Sequence, residues 1–256
     1  MSSEEALLGV ENLTKRFGAV CPANGVNYKL RENQVAGIIG PNGAGKTTFF
    51  NLVTGLCIPD SGNVFFQGGD ITRLSPQKRV QLGIRRTFQL ASVFDNLCVV
   101  DNIRVAYYQK QRAGRPSLGG MFLTELVGVH SETIDELTEG MGFANVAHTE
   151  AGGLSLGNKR KLELAMAIIA EPKVLLLDEP FAGLSEMEIS QIVEMLKNRC
   201  AGKMSILIIE HKITWLKDLV DRLSVLVNGE LVADGTYQEA LESPQARKSY
   251  WKLIEE

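Results

Sequence analysis

A stretch of nine residues has the residue types and spacing needed to bind a phosphate group. It reads G-x-x-x-x-G-K-T with a second threonine after it, and consists of Gly40, Pro41, Asn42, Gly43, Ala44, Gly45, Lys46, Thr47 and Thr48. Glycines tolerate positive φ and let the backbone approach a ligand, so successive N–H groups can form a concave anion site. Lys46 adds a charge for the β- and γ-phosphates, and the Thr47 hydroxyl is a ligand for Mg²⁺. These residues predict that the chain binds a nucleoside triphosphate.

The segments on either side of this loop support the prediction. The apolar run 34–39 comes before it and is suited to a buried strand. Residues 47–54 have the pattern of a helix, with Gly55 placed to end it and Pro59 beyond. The loop therefore lies between a strand and a helix, and the helix N-terminus adds partial positive charge. A glycine-rich turn that matched the pattern by accident would not explain this context.

Two adjacent carboxylates, Asp178 and Glu179, stand at the end of another apolar run. Residues 173–178 predict a buried parallel strand, and α/β sheets bind ligands at the carboxyl ends of such strands. Asp178 is predicted to hold Mg²⁺, and Glu179 to orient or deprotonate an attacking water. An acidic loop after a core strand is the alternative, and the phosphate loop makes it the weaker one.

Two further features are ambiguous when each is taken alone. His211 follows a buried strand predicted at 205–210 and, while neutral, could donate a hydrogen bond to a γ-phosphate; a lone histidine more often has a structural role. Ser155 and Gly157 precede a helix predicted from Asn158 and would form a second anion-facing helix end, with an ordinary N-cap as the alternative. Two such helix ends point to a composite site shared between two subunits.

Length and composition narrow the class of protein. A chain of 256 residues with 45% hydrophobic residues fits one large α/β domain, or one domain with an inserted lobe. A net charge of −3 without a basic face argues against nucleic acid as a partner. Four cysteines without C-x-x-C spacing argue against a zinc site or a disulfide framework. An acidic N-terminus and the lack of any apolar run of 18 residues predict a cytosolic protein.

The remaining pattern is that of alternating strands and helices, interrupted once. Short strands are predicted within 7–39, where Phe17 precedes a flexible glycine; its ring could stack on a base, although an aromatic packed in a sheet is the simpler interpretation. Ser75 and Gly83 bracket a short helix. The character of the chain then becomes mostly helical until about residue 157. A hairpin turning on Asn228-Gly229 follows the last buried strand.

Taken in order, these motifs resemble those of the ATP-binding subunits of ABC transporters over nearly the whole chain. The matching segments are the A-loop aromatic Phe17, the Walker A loop at 40–48, the Q-loop at Phe88 and Gln89, the signature motif at 154–158, Walker B at 174–179, the D-loop at 181–185 and the switch histidine His211. The resemblance implies an α/β fold of the phosphate-loop ATPase type. In it, a RecA-like parallel core sheet is joined to an N-terminal antiparallel β-subdomain and an inserted α-helical subdomain. The chain 1–256 would be a single ATP-binding domain, with the helical subdomain at 90–157.

The resemblance also implies the ligands, partners and remaining site residues. ATP and Mg²⁺ would be bound, and Gln89 would contact Mg²⁺ and join the catalytic set of Lys46, Glu179 and His211. Ser155 and Gly157 would contact ATP held by a second ATPase subunit, identical or related. The other partners would be integral-membrane permease subunits and, indirectly, a periplasmic or extracellular substrate-binding protein, but no nucleic acid. The chain would be cytoplasmic and peripheral on the inner face of the plasma membrane.

Within the family, the chain resembles most the ATPases of branched-chain amino-acid importers. This resemblance rests on the sequence segments 83–89, 182–184 and 209–211 and on the long helical insertion. The alternatives are an ATPase of the lipopolysaccharide-export type and a regulatory or binding cassette without transport. Relative to the usual signature L-S-G-G-Q, Leu156 replaces a glycine and Asn158 a glutamine, and Ser185 stands where the D-loop usually has Asp or Asn. We therefore expect an active half-site of its own and a weaker half-site for a partner.

Overall fold

The computed structural model describes residues 6–87, 92–111, 132–200 and 202–250, so the predicted Q-loop residues Phe88 and Gln89 lie outside the described residues. The chain forms two compact units. The sheet unit consists of Met1–Arg86, Lys173–Pro180 and Gly202–Glu256. The helical unit consists of Thr87–Pro172 and Phe181–Ala201. The chain therefore leaves the sheet unit and returns to it twice.

A four-stranded antiparallel sheet forms one part of the sheet unit. Its strands are β1 (Leu8–Phe17), β2 (Val20–Leu30), β4 (Ser61–Phe66) and β5 (Gly69–Asp70), in the order β2-β1-β4-β5. Leu8 pairs with Leu30 on one side and with Phe66 on the other, and all three side chains are buried. These strands are longer than the short runs predicted from the sequence, because register shifts let β1 and β2 continue past their polar residues.

The second sheet has six strands and is parallel apart from its edge strand β10. Its order is β10-β9-β3-β8-β7-β6, formed by β3 (Val35–Ile39), β6 (Ile84–Arg86), β7 (Val174–Asp178), β8 (Ser205–Ile209), β9 (Arg222–Val227) and β10 (Glu230–Gly235). Every residue of β7 and β8 is buried, as continuous apolar runs in a parallel sheet require. The predicted combination of a parallel core sheet and an antiparallel sheet is confirmed.

Four helices complete the sheet unit in the described part of the chain: α1 (Lys46–Thr54), α2 (Pro76–Leu82), α7 (Tyr237–Glu242) and α8 (Pro244–Tyr250). Helix α1 ends at Gly55, which has φ 77°, and α2 runs from the N-cap Ser75 to Gly83, as predicted. The buried Phe49 and Phe50 of α1 share one hydrophobic core with β1, β2, β3 and β8. This core holds the helix that follows the phosphate loop against both sheets.

One buried arginine of α2 completes the C-terminal end of α1. The guanidinium of Arg79 donates to the carbonyl oxygens of Leu52, Val53, Thr72 and Leu74 at 2.6–3.2 Å. Two of these, from Leu52 and Val53, are carbonyls of the last turn of α1, where a helix leaves carbonyl groups without i+4 partners; the Leu52 oxygen also accepts from the N–H of Gly55 at 3.3 Å. Burial lowers the pKa of Arg79 to about 10, so the side chain remains charged at neutral pH. The cation also complements the negative end of the α1 dipole.

The helical unit contains α3 (Val99–Gln111), α4 (Glu132–Gly140), α5 (Leu156–Ile169) and α6 (Glu186–Cys200). Helix α3 packs against α4 and α5, and α5 packs against α6. The unit extends beyond the insertion predicted at 90–157, because it also includes all of α5 and α6; a separate subdomain at 90–157 stays a prediction. No helix within the described ranges is long and apolar enough to cross a bilayer.

Candidate active site

The phosphate loop connects β3 to α1 and is shaped by two different properties of glycine. Gly43 and Gly45 have φ of 78° and 107°, in the left-handed region that favours glycine. Gly40 is not among the residues with positive φ, so the freedom of glycine to adopt that conformation is not used at this position. A Cβ on Gly40 would instead lie 2.0 Å from the carbonyl oxygen of Leu226, and one on Gly45 would lie 1.8 Å from that of Pro22. The loop is thus pressed against the backbones of β9 and β2.

The hairpin turn between β9 and β10 supports the loop from behind. The N–H of Gly229 donates to the carbonyl of Ala44 at 2.8 Å, and the carbonyl of Gly229 accepts from the N–H of Asn24 at 2.9 Å. Asn228 and Gly229 have φ of 49° and 81°, as a type I′ turn requires. The sequence predicts this hairpin but contains no signal that it contacts a loop more than 180 residues earlier. The contact of this turn with the phosphate loop is therefore a feature that sequence reasoning missed.

Lys46 is folded onto the loop that it follows. Its ammonium donates to the carbonyl oxygens of Gly40 at 2.7 Å and Pro41 at 2.9 Å, and the residue is only 6% exposed. Burial lowers the pKa of Lys46, while the charges of Glu179 and Asp178 act in the opposite direction. The lysine is thus in the electrostatic field of both predicted carboxylates. Thr47, the next residue in the first turn of α1, is exposed.

Asp178 is the last residue of β7, and its carboxylate is buried beside a cation. The Nη2 atom of Arg86 lies 2.5 Å from its Oδ2 atom. The Nη1 atom of the same arginine donates to Oδ1 of Asn51 on α1 at 2.7 Å. Sequence reasoning assigned no role to Arg86, since a basic residue at the end of a short strand carries no pattern of its own. The structure adds it to the surroundings of the predicted metal ligand.

Glu179 and His211 follow neighbouring strands, and the structure brings their side chains together. The Nε2 atom of His211 lies 2.9 Å from Oε1 of Glu179. Because an ionised carboxylate only accepts, the proton of this hydrogen bond belongs to Nε2. Glu179 has φ 49°, a conformation that is uncommon for a residue with a side chain. Its N–H donates to the carbonyl of Ile209 at 2.9 Å, which holds the residue in this conformation.

A buried carboxylate fixes the turn that carries the histidine. Oε2 of Glu210 accepts hydrogen bonds from the backbone N–H groups of His211 at 2.7 Å and Lys212 at 3.0 Å. Glu210 is almost completely buried, so this carboxylate is turned inward while the side chain of His211 is directed outward. The sequence contains the glutamate next to the histidine, but it does not say which of the two faces the site.

Phe17 is the last residue of β1 and is 55% exposed. Phe17 thus lies in a sheet with its ring uncovered, and stacking of this ring on a base stays a prediction. The ammonium of Lys15 lies 5.5 Å from the ring centroid, within the range of a cation–π contact. The ring can stack on a flat group.

Ser155 and Gly157 belong to the helical unit. Ser155 is the N-cap of α5, and its Oγ accepts from the N–H of Asn158 at 3.2 Å, so the N-cap interpretation describes its local contact. Helix α5 begins at Leu156, two residues earlier than predicted, and Leu156 is 55% exposed. A Cβ on Gly157 would lie 1.8 Å from Oε1 of Glu188 on α6, so a larger residue here would displace the end of that side chain. 

The D-loop serine is held by the same glutamate. Ser185 donates to Oε2 of Glu188 from its backbone N–H at 2.9 Å and from its hydroxyl at 2.8 Å. These two hydrogen bonds lower the pKa of Glu188. The hydroxyl of Ser185 is thus used within its own chain, close to the start of α6.

The residues of the sheet unit fit Mg²⁺ only if a ligand supplies further oxygens. Within the ranges that the structure describes, no group of three or more His, Cys, Asp and Glu side chains could hold a metal ion. Mg²⁺ is commonly bound by one or two protein oxygens together with substrate phosphates and water. One buried carboxylate, Asp178, and one exposed hydroxyl, Thr47, beside a phosphate loop correspond to that arrangement.

Comparisons with known proteins identify the family of the chain. A family model described as ABC transporter matches residues 23–182. The chain is 34% identical over 251 residues to the high-affinity branched-chain amino acid transport ATP-binding protein LivG of Salmonella typhimurium, covering 96% of this chain and 98% of that protein. It is 35% identical over 249 residues to the corresponding protein BraF of Pseudomonas aeruginosa, covering 95% and 97%.

Solved structures give the same result for the fold. An ATP-binding cassette of an ABC transporter in its ADP conformation has a TM-score of 0.81 and 27% identity, covering 98% of this chain and all of that chain. A nucleotide-free cassette has a TM-score of 0.77 and 28% identity, covering 94% and 97%. The chain belongs to the ABC transporter family as an ATP-binding ATPase subunit, homologous over nearly its whole length to ATP-binding proteins of branched-chain amino acid transport.

Proposed function

We propose that this chain hydrolyses ATP to power an importer for branched-chain amino acids or similar small polar compounds. The observation that carries the proposal is the hydrogen bond between Glu179 and His211 at the strand ends beside the phosphate loop. A binding module needs a phosphate loop alone. A carboxylate and a histidine paired at its edge are the groups that hydrolysis requires. The names of the relatives support the class of substrate.

The predicted site residues of the sheet unit each have a role in this proposal. The phosphates lie against backbone N–H groups of the phosphate loop and the ammonium of Lys46, which offsets the charge that develops on the γ-phosphate. Thr47 and Asp178 would hold Mg²⁺, and the ion would supply further stabilisation of phosphate charge. Phe17 stacks on the base.

The pair formed by Glu179 and His211 prepares the water. Glu179 orients it and accepts its proton, since a carboxylate within hydrogen-bond reach can act as a general base. The Nε2–H group of His211 donates to Glu179 in this structure, and the same group would donate to a γ-phosphate oxygen instead once ATP is bound. The histidine would then leave Glu179 able to accept the proton of the water.

A second ATPase subunit completes the site. Ser155 and the N–H of Gly157, at the start of α5, contact ATP held by the other subunit of a head-to-tail dimer. Leu156 is exposed beside them and is available to the same interface. The second subunit is either a copy of this chain or a related ATPase. The departures Asn158 and Ser185 favour the related ATPase, because both side chains are shorter than those usual in the family.

The permease subunits dock on the ATPase at the cytoplasmic face of the membrane. Four exposed apolar side chains in the sheet unit support such a surface: Leu56, Ile58, Val80 and Leu82. Two of them follow α1 and two lie on α2, the elements that Arg79 joins. The substrate-binding protein is then an indirect partner, and nucleic acid is none.

The test combines the purified protein with its permease. Glu179→Gln should retain ATP binding and lose hydrolysis by at least about 100-fold, since it removes the general base. With ATP and no Mg²⁺, the mass of this variant in solution should change from monomer to dimer if the chain pairs with itself. ATP binding without dimerisation would indicate a different ATPase as partner. Full hydrolysis in Glu179→Gln would contradict the assigned role.

Transport in vesicles separates the functional alternatives. Uptake of branched-chain amino acids by the reconstituted complex, lost in Glu179→Gln, is expected. Export of a lipid-linked saccharide would support the lipopolysaccharide-type alternative. Nucleotide binding without appreciable hydrolysis, even with the permease, would support a regulatory cassette, for which Asn158 and Ser185 are the motivating residues.

A further inference from the structure

Arg86 holds together two elements that contribute to the proposed metal site. It is the last residue of β6, which runs parallel to β7. One arm of its guanidinium is 2.5 Å from Oδ2 of Asp178 at the end of β7, and the other is 2.7 Å from Oδ1 of Asn51 on α1. The side chains of Arg86 and Asp178 are 6% and 5% exposed. The ion pair is therefore shielded from solvent, and a change in one partner acts directly on the other.

The position of Asn51 connects this pair to the second proposed metal ligand. Asn51 and Thr47 are four residues apart on α1, so they lie on the same face of the helix, one turn from each other. Arg86 thus ties the carboxylate of Asp178 to the face of α1 that carries the Thr47 hydroxyl. The planar guanidinium of Arg86 therefore fixes the carboxylate of Asp178 relative to the face of α1 that carries Thr47.

The contact also leaves one oxygen of the carboxylate available. Arg86 bonds to Oδ2, and within the described residues no hydrogen bond is formed to Oδ1 of Asp178. The guanidinium itself is packed, with its central carbon 5.4 Å from the centroid of the Phe50 ring. Because the Arg86 guanidinium is packed and hydrogen-bonded to two side chains, it restricts rotation of the Asp178 side chain.

We propose that Arg86 is a positioning residue for the metal site: it sets the orientation of Asp178 relative to Thr47, so that both oxygens face the same Mg²⁺. The inference rests on the proposed function, because it concerns the metal site assigned there. A simpler role would be charge balance, in which any buried cation next to Asp178 suffices. The two roles differ in geometry, since a lysine supplies the charge as a single point and lacks the fork that reaches Asn51 as well.

The experiment measures ADP binding to the full chain in Mg²⁺ and in EDTA, and compares the two affinities as a ratio. In the unaltered protein, Mg²⁺ should strengthen ADP binding. In Arg86→Lys and Arg86→Gln the ratio should fall by about 10-fold, as for other residues that orient a metal ligand, with the affinity in EDTA unchanged.

Asn51→Ala should lower the ratio by a smaller factor, since it removes one of the two anchors. Arg79→Lys, which alters a buried arginine bonded only to backbone carbonyls, should lower thermal stability and leave the ratio unchanged.

Each outcome decides between these roles. An unchanged ratio in Arg86→Lys overturns the inference and leaves charge balance. If neither Arg86 variant folds, Asn51→Ala decides: a lowered ratio supports the inference, and an unchanged one overturns it. If Mg²⁺ has no effect on the unaltered protein, the metal site of the proposed function fails and this inference fails with it. A normal metal effect that no variant alters overturns the inference alone.

Discussion

The Nε2 atom of His211 lies 2.9 Å from Oε1 of Glu179, although the two residues are separated by 32 positions in the chain. They follow adjacent parallel strands, β8 and β7, which are paired from Val174 opposite Ser205 to Asp178 opposite Ile209. The register of these strands therefore decides that the two side chains meet. Because His211 donates to the Glu179 carboxylate, each side chain restrains the other, and a change in one is expected to affect the other.

This coupling predicts a non-additive double variant. Glu179→Gln and His211→Ala should each lower the rate of ATP hydrolysis by at least about 100-fold, since each removes a group at the reacting centre. The double variant should be no slower than the slower single variant, because residues that act as a unit are not additive. Steady-state phosphate release measures all three. His148→Ala, which alters an exposed histidine of the helical unit, serves as the control. Rates that multiply in the double variant would show that the two residues act independently.

Glu210 is expected to act through the histidine. Glu210→Ala removes the acceptor of the N–H groups of His211 and Lys212, which should cost about 1–3 kcal/mol in the free energy of unfolding. The rate of hydrolysis should fall by about 10-fold, as for a change that displaces a catalytic group by a fraction of an ångström, while ATP affinity is retained. Glu210→Gln keeps one acceptor oxygen and should recover much of both losses. Denaturant unfolding and phosphate release test this. A normal rate in Glu210→Ala would remove Glu210 from the site.

Gly229 is expected to affect nucleotide binding from the back of the loop. A Cβ there would lie 2.4 Å from the carbonyl oxygen of Cys21, so Gly229→Ala must move the turn that bonds to Ala44. ATP affinity should fall by about 10-fold or more, because the backbone groups of the phosphate loop are displaced from their positions. Gly202→Ala is the matched control: its φ of 69° is also left-handed, but nothing lies within 4 Å of the added carbon. It should cost about 1 kcal/mol of stability and leave ATP affinity unchanged. Equal losses of affinity would contradict the proposed support of the loop.

Arg79 is expected to matter for folding and to leave the chemistry unchanged. Arg79→Lys removes guanidinium hydrogen bonds to carbonyls of α1 and of the segment before α2, which should cost about 2–4 kcal/mol in the free energy of unfolding. Lys78→Ala, one residue earlier and exposed, should change stability by less than about 0.5 kcal/mol. Thermal and denaturant unfolding compare the two. Nucleotide affinity per folded molecule should be normal in both variants; a specific loss in Arg79→Lys would assign it a role at the site.

The local sequence determined where strands, helices and turns form and which residue types are present for chemistry. The apolar runs before Gly40, Asp178 and His211 predicted three buried strands, and the structure has β3, β7 and β8 there. Caps at Ser75, Gly55 and Gly83 and the turn at Asn228-Gly229 were also correct. These features depend on neighbouring residues, whose conformational preferences and hydrogen bonds act over a few positions.

Tertiary structure decided which distant residues meet. Arg86 against Asp178, Gly229 behind Ala44 and Glu188 against Gly157 each join segments far apart in the chain. Gly40 is an example at a single position. Its sequence context indicates a flexible glycine. In the structure a side chain is excluded there because a Cβ would lie 2.0 Å from the carbonyl oxygen of Leu226. Such contacts depend on strand order and register, which are set by the packing of the whole sheet and leave no periodic trace in either segment.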